Sequence, residues 1–222
     1  MTDEAPFFRT DWVFDNLDML ALRTAEHVVL TLIGVGVGVL IAFPLTLLIH
    51  RRRRLIGQVI GIAGILYAIP SLALFGLLIP VTGIGLVTAE IALVSYTLLI
   101  LIRNGLAGLD GIAPEVLETA TGMGYTRAQR LWRVELPLAL PVIIAGIRIA
   151  TVTTIGLVAV TALIGQGGLG FVIIQLGIRR DFDTAILVGV GLSILLAVIA
   201  DRGLVLLERA LTPWARAQTE GT

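Results

Sequence analysis

The sequence predicts an all-helical integral membrane protein of about five transmembrane helices with its N-terminus outside. Three observations predict it. Of 222 residues, 57% are hydrophobic and 14% charged, against about 45–50% and about 25% in soluble domains. Five mostly uncharged stretches are long enough to cross, or nearly cross, roughly 30 Å of hydrocarbon. Most of the charges that remain lie between those stretches, and most arginines fall on one side.

Residues 1–25 form an N-terminal segment. It carries Asp3, Glu4, Asp11, Asp15 and Asp18, with no basic stretch ahead of an apolar core, unlike a cleavable signal. Over 11–22, Trp12, Val13, Leu17, Leu20 and Ala21 fall near one helical face, which predicts a short interfacial helix. The transmembrane region follows over 26–207. Its first span, 28–49, is a run of 22 uncharged residues ending at His50 and four arginines, 51–54. Consecutive arginines at a helix end place that end in the cytoplasm. A basic site for lipid headgroups is the alternative reading of the same four residues.

The second span, 57–80, holds Pro70 and Ser71 near its middle. Proline there frees a backbone carbonyl, which lipid cannot satisfy, so Pro70 is expected to face a helix interface or a cavity. A packing kink and a gate on the transport pathway are both open readings of Pro70 and Ser71. The third span, 86–102, ends at Arg103 and carries Glu90 near its outer end, close enough to the interface to be hydrated. The fourth, 138–163, carries Arg148, placed to pair with an acid from a neighbouring helix or to reach the surface. Residues 165–177 are glycine-rich and too short to span, and they are expected at the outer face. The fifth span is 185–207, with Asp201 and Arg202 expected as an interfacial pair; residues 208–222 form a cytoplasmic tail. Small-residue pairs Gly34/Gly38 and Gly57/Gly61 suit close helix packing.

Between the third and fourth spans lies the long polar stretch 113–137. It reads as two short helices with a bend. Pro114 sits where a first-turn proline is tolerated. Gly122 and Gly124 interrupt the run, and Thr126 with Gln129 has capping-box spacing for a second helix. On that helix Ala128, Leu131 and Trp132 share one face, Arg127, Arg130 and Arg133 another, and Pro137 is expected to end it. Of the 16 arginines, 12 fall at predicted inner positions: 51–54, 103, 127, 130, 133, 148, 202, 209 and 216. Four, at 9, 23, 179 and 180, fall outside. With the N-terminus outside, the 113–137 loop is cytoplasmic.

Several chemistries are excluded by composition. The chain has no cysteine and its formal net charge is zero, so thiolate chemistry and bulk attraction to nucleic acid both lack a basis. His27 and His50 lie at opposite ends of one predicted span. There is no phosphate-loop lysine motif, no metal-ligand cluster and no nucleophile–base pair. No cofactor is expected, and the chain is not expected to be an enzyme.

Glu118-Thr119-Ala120, then Gly124, then Val134, Leu136 and Pro137 resembles the E-A-A-x-x-x-G-x9-I-x-L-P signature of ABC importer permeases, with matching spacing throughout. Thr119 stands for a second small residue and Val134 for isoleucine. The resemblance implies the type I importer permease fold, with 113–137 as a cytoplasmic coupling helix that fits a groove on a partner ATPase. It implies a multi-pass protein of the bacterial inner (plasma) membrane. The expected partners are ABC ATPase subunits, a second identical or paralogous permease and an extracytoplasmic substrate-binding protein. The stretches 69–74, 135–151 and 162–170 are similar to permeases of osmoprotectant importers, over roughly residues 20–212. That likeness implies glycine betaine, choline, carnitine or a related quaternary ammonium as cargo, with methionine permeases as the nearest alternative. Such a cation is held by cation–π contacts. The 13 aromatic residues are scattered, so an aromatic cage is expected in the separate binding protein. From another class, an ion-coupled secondary transporter or channel would want intramembrane acids and repeated broken helices, and a membrane scaffold would not need the signature.

Overall fold

A computed structural model describes residues 7–214. Residues 1–6 and 215–222 lie outside the described range, and with them Asp3, Glu4, Arg216 and most of the predicted tail. The described residues form helices α1 (Thr10–Asp15), α2 (Leu17–Arg51), α3 (Ile56–Ala68), α4 (Ser71–Thr82) and α5 (Leu86–Asp110). They continue as α6 (Pro114–Gly122), α7 (Arg127–Arg130), α8 (Leu136–Thr161) and α9 (Asp183–Leu211). Wide π turns fill Leu131–Glu135 and Phe171–Gly177. No strand occurs among the described residues.

Four stretches are long and apolar enough to cross a membrane: α2, α5, the continuous run Arg127–Ile164, and α9. The bent pair α3–α4 makes a fifth if taken as one span. Their apolar side chains are far from all buried. Leu32, Leu40, Ile194 and Leu206 are more than half exposed, as residues facing hydrocarbon would be.

The helices divide into two compact units. The first holds residues 7–36, Ile69–Val94 and Thr151–Ile199; the second holds Val37–Ala68, Ser95–Ala150 and residues 200–214. In the first, Leu30, Leu93 and Val158 form one core, while Leu20, Val172 and Ala185 form another under Trp12 and Phe182. In the second, Ala42, Ile49, Ile102 and Ala150 make the main core, and Leu109, Leu131 and Ala139 a smaller one.

The structure departs from the sequence expectations at several points. The interfacial helix predicted over 11–22 stops at Asp15, and Leu17 already belongs to α2. Asn16 breaks the run, and its side chain donates to the Trp12 carbonyl. At Pro70 the chain does not kink but breaks, with α3 ending at Ala68 and α4 starting at Ser71. The residue before a proline is pushed out of the helical region, so Ile69 cannot carry the helix forward. Pro70 itself is exposed and Ser71 partly buried. Asp201 does not pair with Arg202. Adjacent residues on a helix point about 100° apart, and Asp201 instead takes Arg148, at 2.9 Å. Both Glu90 oxygens are buried rather than open to the interface, with no hydrogen-bond partner among the described residues. A side-chain carbon at Gly38 would run into Thr97, whereas one at Gly57 or Gly61 would meet nothing within 4 Å.

The glycine-rich stretch is tied down within the first unit. Glu26 accepts from the Gly168 N–H at 2.9 Å and holds Arg23 at 2.8 Å. His27 Nε2 donates to the Ile155 carbonyl at 2.9 Å, so its Nδ1 is free to accept from the Leu169 N–H at 3.2 Å. Full burial of His27 makes both bonds costly to lose. His27→Ala is expected to release this stretch, raising amide exchange at Gly168 and Leu169 at least tenfold over wild type. Unchanged exchange there would show that the loop holds itself.

Candidate functional site

The polar stretch 113–137 forms an elbow within the second unit. Pro114 occupies the first turn of α6, where its missing N–H costs nothing, and α6 ends at Gly122. Gly124 follows at φ +82°, a left-handed conformation open to glycine and strained for most other residues. Thr126 then caps α7 with the full reciprocal box. Its hydroxyl accepts from the Gln129 N–H, and the Gln129 side chain accepts from the Thr126 N–H. The two-helix reading with a bend at the glycines therefore matches the chain.

Pro137 does not end the second helix. α7 runs through the π turn Leu131–Glu135 into α8 without a stop. A proline inside a helix removes one N–H and crowds the carbonyl four residues back. The wider π turn lies just before Pro137 and lets the helix pass. Leu131 turns inward at 4% exposure while Trp132 points out at 60%, so the single apolar face expected of the two does not form, because neighbours on a helix diverge by about 100°. Trp132 meets Phe43 of α2, with ring centroids 6.5 Å apart.

The signature residues fall into two groups. Glu118, Thr119 and Gly124 are exposed on the outside of the elbow. Ala120 is buried at 1% on the inner side of α6. Val134, Leu136 and Pro137 are partly buried at the root, where α8 begins. Glu118 also borders a shallow cavity with Leu117, Thr121, Gly122 and Arg130. The elbow thus presents Glu118, Thr119 and Gly124 outward beside exposed Met123 and Trp132, while Ala120 and Leu131 are buried on its inner side.

Beneath it lies a polar network that sequence reasoning missed. Glu135 is 4% exposed. Its Oε1 accepts from Arg130 Nε at 2.7 Å, and its Oε2 lies 3.2 Å from His50 Nε2. His50 Nδ1 lies 3.2 Å from an Asp110 oxygen, and Arg53 donates to the other Asp110 oxygen at 2.6 Å. Arg130 also donates to the Thr121 hydroxyl at 3.1 Å. In sequence, Glu135 is an acid one residue before Leu136-Pro137, and His50 leads an arginine run. Nothing local tells that they meet across 85 positions. Elsewhere in the second unit, Arg148 pairs with Asp201 at 2.9 Å and Glu208 at 3.5 Å, the structural pairing expected of it. No cluster able to hold a metal occurs among the described residues.

Comparison with known proteins places the chain. Residues 34–213 match the family model described as binding-protein-dependent transport system inner membrane component. The osmoprotectant import permease protein OsmW of Salmonella typhimurium is 41% identical over 207 residues, 91% of this chain and 96% of that one. The choline transport system permease protein OpuBB of Bacillus subtilis is 40% identical over 194 residues, covering 87% and 89% of the two chains. Among solved structures, an inward-facing conformation of the MetNI methionine ABC transporter aligns with TM-score 0.79 at 26% identity. The alignment covers 87% of this chain and 97% of that one.

Proposed function

This chain belongs to the family of binding-protein-dependent transport system inner membrane components, and from that premise we propose that it carries a small osmoprotectant across the membrane while a partner ATPase drives it. The observation that carries the coupling reading is the elbow: Glu118, Thr119 and Gly124 stand exposed on a capped, bent helix pair whose underside is packed. The elbow faces the cytoplasm in this reading, with the N-terminus outside, following the arginine distribution. ATP-driven closure of the ATPase pushes on Glu118, Thr119 and Gly124. Ala120, Val134, Leu136 and Pro137 pass the motion into α8. The two conformations differ in what the elbow touches, which is the minimum any such coupling requires.

The substrate reading is glycine betaine, choline, carnitine or a similar quaternary ammonium. It is supported by relatives of 40–41% identity named for osmoprotectant and choline transport, against 26% for the methionine transporter. An extracytoplasmic binding protein delivers the solute, and a second permease completes the pathway. Pro70 and Ser71, at the break between α3 and α4, are assigned to the pathway as a gate element, because a helix break is where backbone geometry changes most cheaply.

The test is the double variant Glu118→Arg with Gly124→Trp. Membrane insertion is expected to stay normal while ATPase co-purification falls at least tenfold and solute uptake is lost. Unchanged uptake would remove the coupling role. Parallel uptake of choline, glycine betaine, carnitine and methionine by the reconstituted wild type reads the substrate class. Uptake of methionine alone would overturn it.

A further inference from the structure

We propose that Glu135, with His50 behind it, is the positioning residue through which movement of the elbow reaches α2 and α5. The inference deepens the coupling reading above and rests on it.

Glu135 is poorly placed as a docking contact, because it is only 4% exposed and both its oxygens already have partners within the chain. It sits at the last position of the π turn, the flexible root of the elbow. A π turn is a weakened stretch of helix, so an elbow joined only through it would bend at Leu131–Glu135 and leave the membrane helices still. The side chain of Glu135 bridges that root. One oxygen holds Arg130 on the elbow side, and the other meets His50 at the end of α2. His50 passes the contact on to Asp110 at the end of α5, and Arg53 holds Asp110 from its far side. Arg130 reaches back to Thr121, so α6 is tied in as well.

The chemistry of these contacts suits transmission. Apolar faces slide over one another at small cost, whereas a buried carboxylate that loses a charged donor is left unpaired at high cost. Arg130 and Arg53 balance Glu135 and Asp110 in charge, and the His50 ring stands between the two acids, with Arg53 also 3.3 Å from its Nδ1. Each link has a direction and a fixed length, so displacement of Arg130 must displace His50 or break a charged bond. The signature residues supply the surface that is pushed; Glu135 supplies the tie.

The test uses the full complex of permease, cognate ATPase and binding protein in proteoliposomes, with choline and glycine betaine as solutes and ATP hydrolysis measured in parallel. Glu135→Gln keeps the shape but turns one acceptor into a donor facing Arg130 or His50. It is expected to retain ATPase association and to lower solute moved per ATP hydrolysed at least fivefold. His50→Gln lowers the same ratio by a smaller factor, and it serves as the readout should E135Q fail to reach the membrane. Glu135→Asp, which keeps the charge, restores part of the ratio. The proposal is overturned by a ratio within twofold of wild type in H50Q and E135Q. It is also overturned if E135Q loses ATPase association as the elbow variant does, or if Leu131→Ala, which merely loosens packing, lowers the ratio as much. A wild-type chain that associates with no ATPase would overturn the functional reading itself, and the relay with it.

Discussion

Gly170→Ala is expected to give a chain that inserts poorly and melts well below the wild type. A methyl group built on Gly170 runs into the backbone of Ala159, the carbonyl oxygen most severely and the Cα at 2.8 Å. Ala159 lies in α8, whose backbone is fixed by its own hydrogen bonds, so it cannot swing aside as a side chain would. Overpacking a close-packed interior costs about 1–3 kcal/mol, and a backbone clash falls at the upper end. For a chain of this size, about 3 kcal/mol corresponds to a midpoint lower by roughly 6–12 °C. The measurement is the loss of monodisperse protein on heating in detergent. Gly191→Ala is the control, since a methyl there meets nothing within 4 Å. Equal midpoints for the two variants would show that the glycine-rich stretch does not pack on α8 as described.

Arg148→Leu is expected to destabilise the second unit by about 2 kcal/mol or more. Arg148 bridges two acids of α9, and the three side chains are 29%, 32% and 26% exposed. Removing one partner of a buried ion pair costs about 3–5 kcal/mol, and this partial exposure lowers that figure. Removal leaves Asp201 and Glu208 seven positions apart on one helix, facing each other's charge without the cation between them. Replacing the whole group is a different experiment, because a buried charge set and a neutral one of similar shape are often close in stability. The triple variant Arg148→Leu, Asp201→Asn, Glu208→Gln is therefore expected to recover most of the loss. Thermal midpoints in detergent read both steps, and a triple variant no more stable than R148L would mean that the arginine stem, not its charge, holds α8 to α9.

Much of the elbow was legible because its signals are local. Pro114, the Thr126–Gln129 box and the two glycines each act within four residues, and each acts as its chemistry requires. Pro137 misled for the same reason. Proline weakens a helix without always ending it, as Pro44 inside α2 and Pro141 inside α8 show, and the π turn before Pro137 carries no residue signature of its own. Asp201 and Arg202 likewise look like a pair on paper, yet neighbours on a helix diverge.

The amino-acid order alone determined that this is a helical membrane protein and how its polar elbow is built, since hydropathy, caps and glycine breaks operate over one or two turns. Only the tertiary structure decided which acid Arg148 meets, why Gly170 admits no side chain, and that Glu135, His50 and Asp110 form one network. Those outcomes depend on contacts between residues tens of positions apart, set by how helices pack rather than by what any short stretch prefers.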